Sequence, residues 1–269
     1  MALSILRWGW HSGLGIVTEL QVRLVPLASL YGGRLTYASA DVPAVLRGWF
    51  DWTRTADPRV STSALLSYMP DPRIDDPRPQ RGLTLRVAFP GRPDEGQRLT
   101  APLRALGAVI GDTVDQMPAR EIPRIHDDPV DPGPAWIIGA MFTHADTGLT
   151  DRLLDLWGPS GDLPFPAAEI RHLSAAAGID ITEGSAATGR GAAFLLGTAG
   201  VDPETFYTAL PAAADRIRAA LATWLSAEHN PNFAGRPSAS GGGAPAWPSD
   251  IASRLAQIRH RYDPEQVIS

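Results

Sequence analysis

The apolar period of this chain changes repeatedly, from two to about 3.6 and back, without settling into a regular strand–helix alternation. Residues 15–27 (GIVTELQVRLVPL) put Ile16, Thr18, Leu20, Val22 and Leu24 on one face and Val17, Glu19, Gln21 and Arg23 on the other. That alternation predicts a strand with one buried side, closed by Pro26. Gly32-Gly33 predicts a turn before a second strand at 34–38. A helix is expected from Asp41 as its cap, with Pro43 in the first turn and Val42, Val45, Leu46, Trp49 and Phe50 as its buried stripe.

Strands are expected at 61–68 and 83–89, separated by a loop with four prolines from Pro70 to Pro79. A helix is expected at 94–106. The stretch 117–134 carries five prolines and reads as irregular with a single helical turn. Further strands are expected at 135–143, 167–173 and 192–199, with a short helix at 150–157. Asp202, Pro203 and Glu204 open the longest helical signal, running to Trp224 and interrupted by Pro211. Residues 239–245 (ASGGGAP) read as a linker, and Ser249 caps a last helix bearing Ile251, Leu255, Ile258 and Tyr262. Strands that come singly or in pairs, without a glycine-rich first turn, exclude a Rossmann unit. The fold class expected is α+β, a mostly antiparallel sheet with helices on one face.

Composition narrows the chemistry. The 269 residues are 44% hydrophobic and 20% charged, which excludes global disorder. A net charge of −5 argues against a nucleic-acid partner. No apolar run approaches the roughly 18 residues of a membrane span. The N-terminus makes a poor signal peptide, so a cytoplasmic location is expected. There is no cysteine, which removes disulfides and thiolate chemistry. All 24 basic residues are Arg, the signature of a GC-rich bacterial genome, and the lack of Lys excludes Schiff-base chemistry. No Gly-x-Ser-x-Gly elbow occurs, and no histidine pair has metal-ligand spacing, so an acyl hydrolase and a metal hydrolase are disfavoured and no metal ligand is assigned. His126-Asp127-Asp128 and His144-Ala145-Asp146 read as solvated loop clusters.

Three segments, in order and far apart, carry a resemblance. Residues 7–27 (RWGWHSGLGIVTELQVRLVPL) resemble the Arg, glycine-run, Gly-Val-Val-Thr stretch that closes the FAD domain of berberine-bridge-enzyme-like FAD-linked oxidases, of the vanillyl-alcohol-oxidase type. NPNFAG at 230–235 is similar to that family's Tyr-x-Asn-Phe segment, and RYDPEQV at 261–267 to its terminal Arg-Tyr-Asp-Pro-x-Asn-Leu. EIRHLSAAAG at 169–178 and ATGRGAAF at 187–194 sit where members have comparable strands.

The resemblance implies the C-terminal part of such an oxidase. Residues 1–27 would be the tail of the FAD-binding domain, 28–228 the substrate-binding α+β domain, and 229–269 a segment returning to the FAD domain. A truncated gene, a mis-called start and half of a two-chain enzyme with a separate FAD-domain chain all fit. By family position Gly15, Ile16, Val17, Asn232 and Phe233 contact FAD, and Arg190 and Asn230 contact a small-molecule substrate. The chain departs from the pattern in carrying Trp8 and Trp10 among the glycines, Asn230 for the Tyr and Gln266 for the terminal Asn. No carboxylate base occurs at 192–199, where members often have one.

The expected reaction is transfer of hydride from an organic substrate to flavin, with oxygen as acceptor. His172, which shares strand parity with Ala168 and Ile170, is the candidate general base, while Glu169 and Arg171 on the other face are expected to pair. The alternative is a non-catalytic remnant or small-molecule-binding domain that holds no flavin by itself.

Overall fold

The computed structural model describes residues 16–267 except 17, 20, 23, 25, 71–76, 128–130, 174–188, 230–246 and 266. Eight strands form one sheet: β1 (Ser29–Tyr37), β2 (Ser61–Met69), β3 (Gln80–Phe89), β4 (Val109–Asp112), β5 (Asp115–Pro118), β6 (Trp136–Phe142), β7 (Ala167–His172) and β8 (Phe194–Gly200). Their order is β4-β1-β3-β2-β7-β8-β6, with β5 also on β1, and every pairing is antiparallel. Four helices of ten or more residues pack on this sheet: α1 (Val42–Thr53), α2 (Pro93–Arg104), α4 (Thr147–Leu156) and α5 (Ala209–Ala220). A single turn, α3 (Pro123–His126), and a final helix, α6 (Ser249–Tyr262), complete the elements.

Side-chain alternation divides the sheet sharply. Leu35, Leu85, Ala64, Ile170 and Leu196 point to one face and are all at most 1% exposed. The apolar stripes of α1, α2, α4 and α5 cover that face and make one continuous core. Trp49 of α1 lies against Phe50 and Phe194 and donates its indole N–H to Thr62 Oγ1 at 3.1 Å. That bond satisfies the polar atom of a fully buried Trp. Burying these large side chains stabilises the sheet–helix stack by about 1.5–3 kcal/mol each. Among the described residues, no helix is long and apolar enough to cross a membrane.

The α+β expectation holds, as do the buried stripe of α1 and the single turn in the proline-rich stretch 117–134. Ser249 begins α6 and does not cap it, and three larger expectations fail locally. The described positions of 15–27 are not strand: Ile16 and Leu24 are more than 80% exposed, and none pairs with the sheet. A strand needs a neighbouring ladder and something to bury its apolar side, and the described chain offers this segment neither.

Gly32-Gly33 lies inside β1 instead of forming a turn. Gly33 has φ +149°, and a Cβ there would stand 2.3 Å from the Thr113 carbonyl oxygen, so the site needs glycine where β5 gives way to β4 along β1. The long helix from Asp202 is divided. Asp202 caps only a 3-10 turn, accepting from Glu204 N, and α5 starts again at Ala209 with Pro211 in its first turn. The linker expected at 239–245 lies outside the described residues.

Candidate functional site

Alternation that buries one face sends the other residues of the same strands to a face on which none of the four packed helices lies. Arg34 of β1, Arg86 of β3, Ser63 of β2 and Arg171 of β7 form one cross-strand row there, and Glu169 lies two residues from Arg171 on the same face. Arg86 is only 9% exposed. Its Nη1 donates to Glu169 Oε1 at 2.8 Å, its Nη2 donates to the His126 carbonyl at 3.1 Å, and its Nε is buried without a hydrogen-bond partner. Glu169 also accepts from Ser63 Oγ at 2.8 Å and from Arg171 Nε at 2.8 Å.

The expected Glu169–Arg171 pair is therefore present, embedded in a larger network. Burial alone would raise the Glu169 pKa. Hydrogen bonds and charge from Arg171, with Ser63 and Arg86, outweigh it and hold the carboxyl below its ordinary range. Glu169 is thus an ionised anchor, poorly suited to take a proton near neutral pH.

The single turn α3 packs on this face. Ile125 is buried and meets β1 beside Gly32, where a Cβ would come within 3.1 Å of Ile125 Cδ1. Asp127 ends the turn in the left-handed region, φ 56°, and is held by Arg34 at 3.0 Å. These contacts set the His126 imidazole beside Glu169, Nδ1 to Oε1 3.4 Å. Reading His126-Asp127-Asp128 as a solvated loop holds for the exposed Asp127 and is corrected for His126, which is half-buried against Glu169 with its carbonyl held by Arg86. The signal was present in Ile122 and Ile125, spaced as one side of a helical turn and in need of an apolar floor. His144 and Asp146 are exposed, as the reading of His144-Ala145-Asp146 as solvated expects, and Asp146 in addition caps α4 through Leu149 N at 2.8 Å and accepts from the Trp224 indole at 2.9 Å.

Between α3 and the ends of β2, β3 and β7 lies a groove of about 360 Å³. His172 stands at its edge. It follows the parity of the buried Ala168 and Ile170, rests 5.4 Å from the Phe194 ring, and burial holds its pKa below the ordinary imidazole value. Further along the face, Met141, Leu195 and Ala192 form a small apolar cluster with Leu173. Gly197, opposite Glu169 in the β7–β8 register, has no atom within 4 Å of where a Cβ would stand.

Among the other residues singled out from the sequence, Arg190 is half-buried in the turn entering β8. Gly189 of that turn has φ +79° and donates its N–H to Glu228 Oε2 at 2.8 Å. Ile16 is exposed and away from the sheet ladder. Gly15, Val17, Asn230, Asn232 and Phe233 lie outside the described residues. Among the described residues no group of three or more His, Asp or Glu is placed to hold a metal ion.

Comparison with solved structures gives strong likeness at low identity. A 6-hydroxy-D-nicotine oxidase from Arthrobacter nicotinovorans superposes with a TM-score of 0.70 at 19% identity, over 96% of this chain and 57% of that one. The berberine bridge enzyme of Eschscholzia californica matches with a TM-score of 0.64 at 11% identity, over 92% and 55%. The fold is that of one part of the berberine-bridge-like oxidases. Phl p 4, a grass pollen allergen with glucose dehydrogenase activity, shares this berberine-bridge-like fold with a TM-score of 0.66 at 11% identity, over 96% and 57%. The chain spans a little more than half the length of these structures. No family model matches it, and no curated protein matches it by sequence.

Proposed function

We propose that this chain is the substrate-side portion of an FAD-dependent oxidoreductase, which removes hydride from a small organic molecule with oxygen as final acceptor. The observation that carries the reading is the division of the sheet: one face is packed by helices, and the other concentrates a buried ion network beside a groove. Structural proteins have little reason to hold a guanidinium as buried as Arg86 on the side of a sheet opposite its four packed helices.

The described residues fit one side of a flavin site. Gly197 leaves a strip of backbone free of side chain, next to the Met141–Leu195 apolar cluster and the Glu169 network, where a planar ring has room to lie. Contacts to the rest of the cofactor are assigned by the resemblance to Gly15, Ile16, Val17, Asn232 and Phe233, with a separate FAD-domain chain as a proposed partner. When bound, FAD supplies the hydride acceptor.

This chain's own residues orient the substrate and take its proton. Glu169 is held ionised and fixes its neighbours. His126 and His172 both line the groove and are the imidazoles there that could serve as general base. Arg190 and Asn230 are proposed substrate contacts.

A visible absorption spectrum of the purified chain, before and after incubation with FAD and desalting, tests the reading. A retained flavin band that bleaches anaerobically with an organic substrate is expected. A protein that stays colourless, and gains no thermal stability from FAD, would favour a binding domain that holds no flavin.

A further inference from the structure

The groove beside α3 has a one-sided chemistry. The ionisable side chains lining it are Arg86, Arg171, His126 and His172, and no carboxylate is among the described lining residues. Glu169 stands behind them, shared by two guanidiniums. Ser61 and Ser63 add hydroxyls. Ile122, Ile125 and Leu173 supply the apolar part of the wall. Arg86 is buried with its Nε lacking a hydrogen-bond partner, and the Glu169 carboxylate that pairs it is shared with Arg171. A guanidinium so placed acts through a weakly screened medium.

We infer that this groove binds a small amphipathic organic anion, its carboxylate toward Arg171 and its hydrocarbon body along Ile122, Ile125 and Leu173. As the substrate class of the proposed oxidase this rests on that reading, but the binding itself needs no flavin. Charge-assisted hydrogen bonds from a planar guanidinium favour a carboxylate over a neutral amide of the same shape. A volume of about 360 Å³ has room for an aryl or short alkyl acid.

The test uses the full chain without flavin, and phenylacetate and phenylacetamide as probes, with calorimetry and ligand-observed NMR at low salt. Phenylacetate is expected to bind at least about tenfold more tightly than the amide, the discrimination one charge-assisted hydrogen bond provides. Arg171→Gln, checked for folding by circular dichroism, should abolish the preference. Ser61→Trp, a substitution at an exposed position in the groove lining, should abolish phenylacetate binding with the ion network intact.

Equal binding of the two probes, no binding of either up to millimolar concentration, or a preference that survives in a folded Arg171→Gln protein would each overturn the inference. Should Arg171→Gln fail to fold, undiminished binding by Ser61→Trp overturns it and lost binding supports it. FAD retention is measured separately. A groove that selects phenylacetate in a chain that holds no flavin sinks the oxidase reading alone, and a flavin-binding chain indifferent to phenylacetate sinks this one.

Discussion

Replacing Glu169 by Gln removes a carboxylate that faces Arg86, Arg171, Ser63 and His126. Two of these contacts set the size of the effect. Arg171 is 42% exposed, so its pairing contributes no more than about 1 kcal/mol. The Arg86 side chain is only 10% exposed and Glu169 only 13%. Breaking a fully buried ion pair by removing one partner costs about 3–5 kcal/mol, and a Gln amide oxygen still accepts one hydrogen bond, so roughly 2–3 kcal/mol is expected here. For a domain of this size that is a fall in Tm of roughly 4–12 °C.

The effect carries a pH signature. Because the folded-state pKa of Glu169 is depressed, its stabilisation is fully present above the ordinary value of 4.5 and is lost as pH falls through the lower folded value. Urea unfolding of wild type and Glu169→Gln, followed by circular dichroism from pH 7 to pH 3, should show curves far apart at neutral pH that converge in acid. A double change, Glu169→Leu with Arg86→Met, should recover most of the loss, since no buried guanidinium is then left facing a missing carboxylate. Two proteins of equal stability at pH 7, or a gap unchanged at pH 3, would refute the claim that Glu169 is a buried, ionised anchor.

Other consequences follow from single contacts. Thr62→Val strands the buried Trp49 indole N–H and should lower stability by about 1–3 kcal/mol in urea titration, with little change of shape. Gly33→Ala forces a Cβ against the Thr113 carbonyl at a positive φ, and should cost more than about 1–3 kcal/mol, read as a lower Tm or loss of soluble protein. Asp146→Ala removes both the α4 cap and the Trp224 indole acceptor, with an expected loss of about 1–2 kcal/mol by urea unfolding and a shift in tryptophan fluorescence.

Periodicity carried most of the fold. The stripe Val42, Val45, Leu46, Trp49, Phe50 and the alternation around Ile170 are local records of burial, and both survive in the structure. The same rule misleads at Ile16 to Leu24, because alternation reports a face that wants covering and not whether this chain covers it. Gly33 misleads for a related reason: a glycine called for by one distant carbonyl looks in sequence like a turn.

The candidate site was less legible. Glu169 and Arg171 sit two apart and read as a pair, yet Arg86 and Ser63 reach them only through strand register, and His126 through a turn folded across the sheet. Such neighbours are more than 35 residues apart in sequence, where spacing carries no information.

Titration of FAD, followed by quenching of its fluorescence, tests the central claim most directly, on the wild-type chain and on Gly197→Trp. The latter places a bulky side chain on the face opposite the four packed helices, where a Cβ meets no atom within 4 Å. Saturable quenching by wild type, weakened about tenfold or more in a folded Gly197→Trp protein, is the expected result. No saturable quenching by wild type, or identical titrations of the two proteins, would contradict the assignment of this face to a flavin.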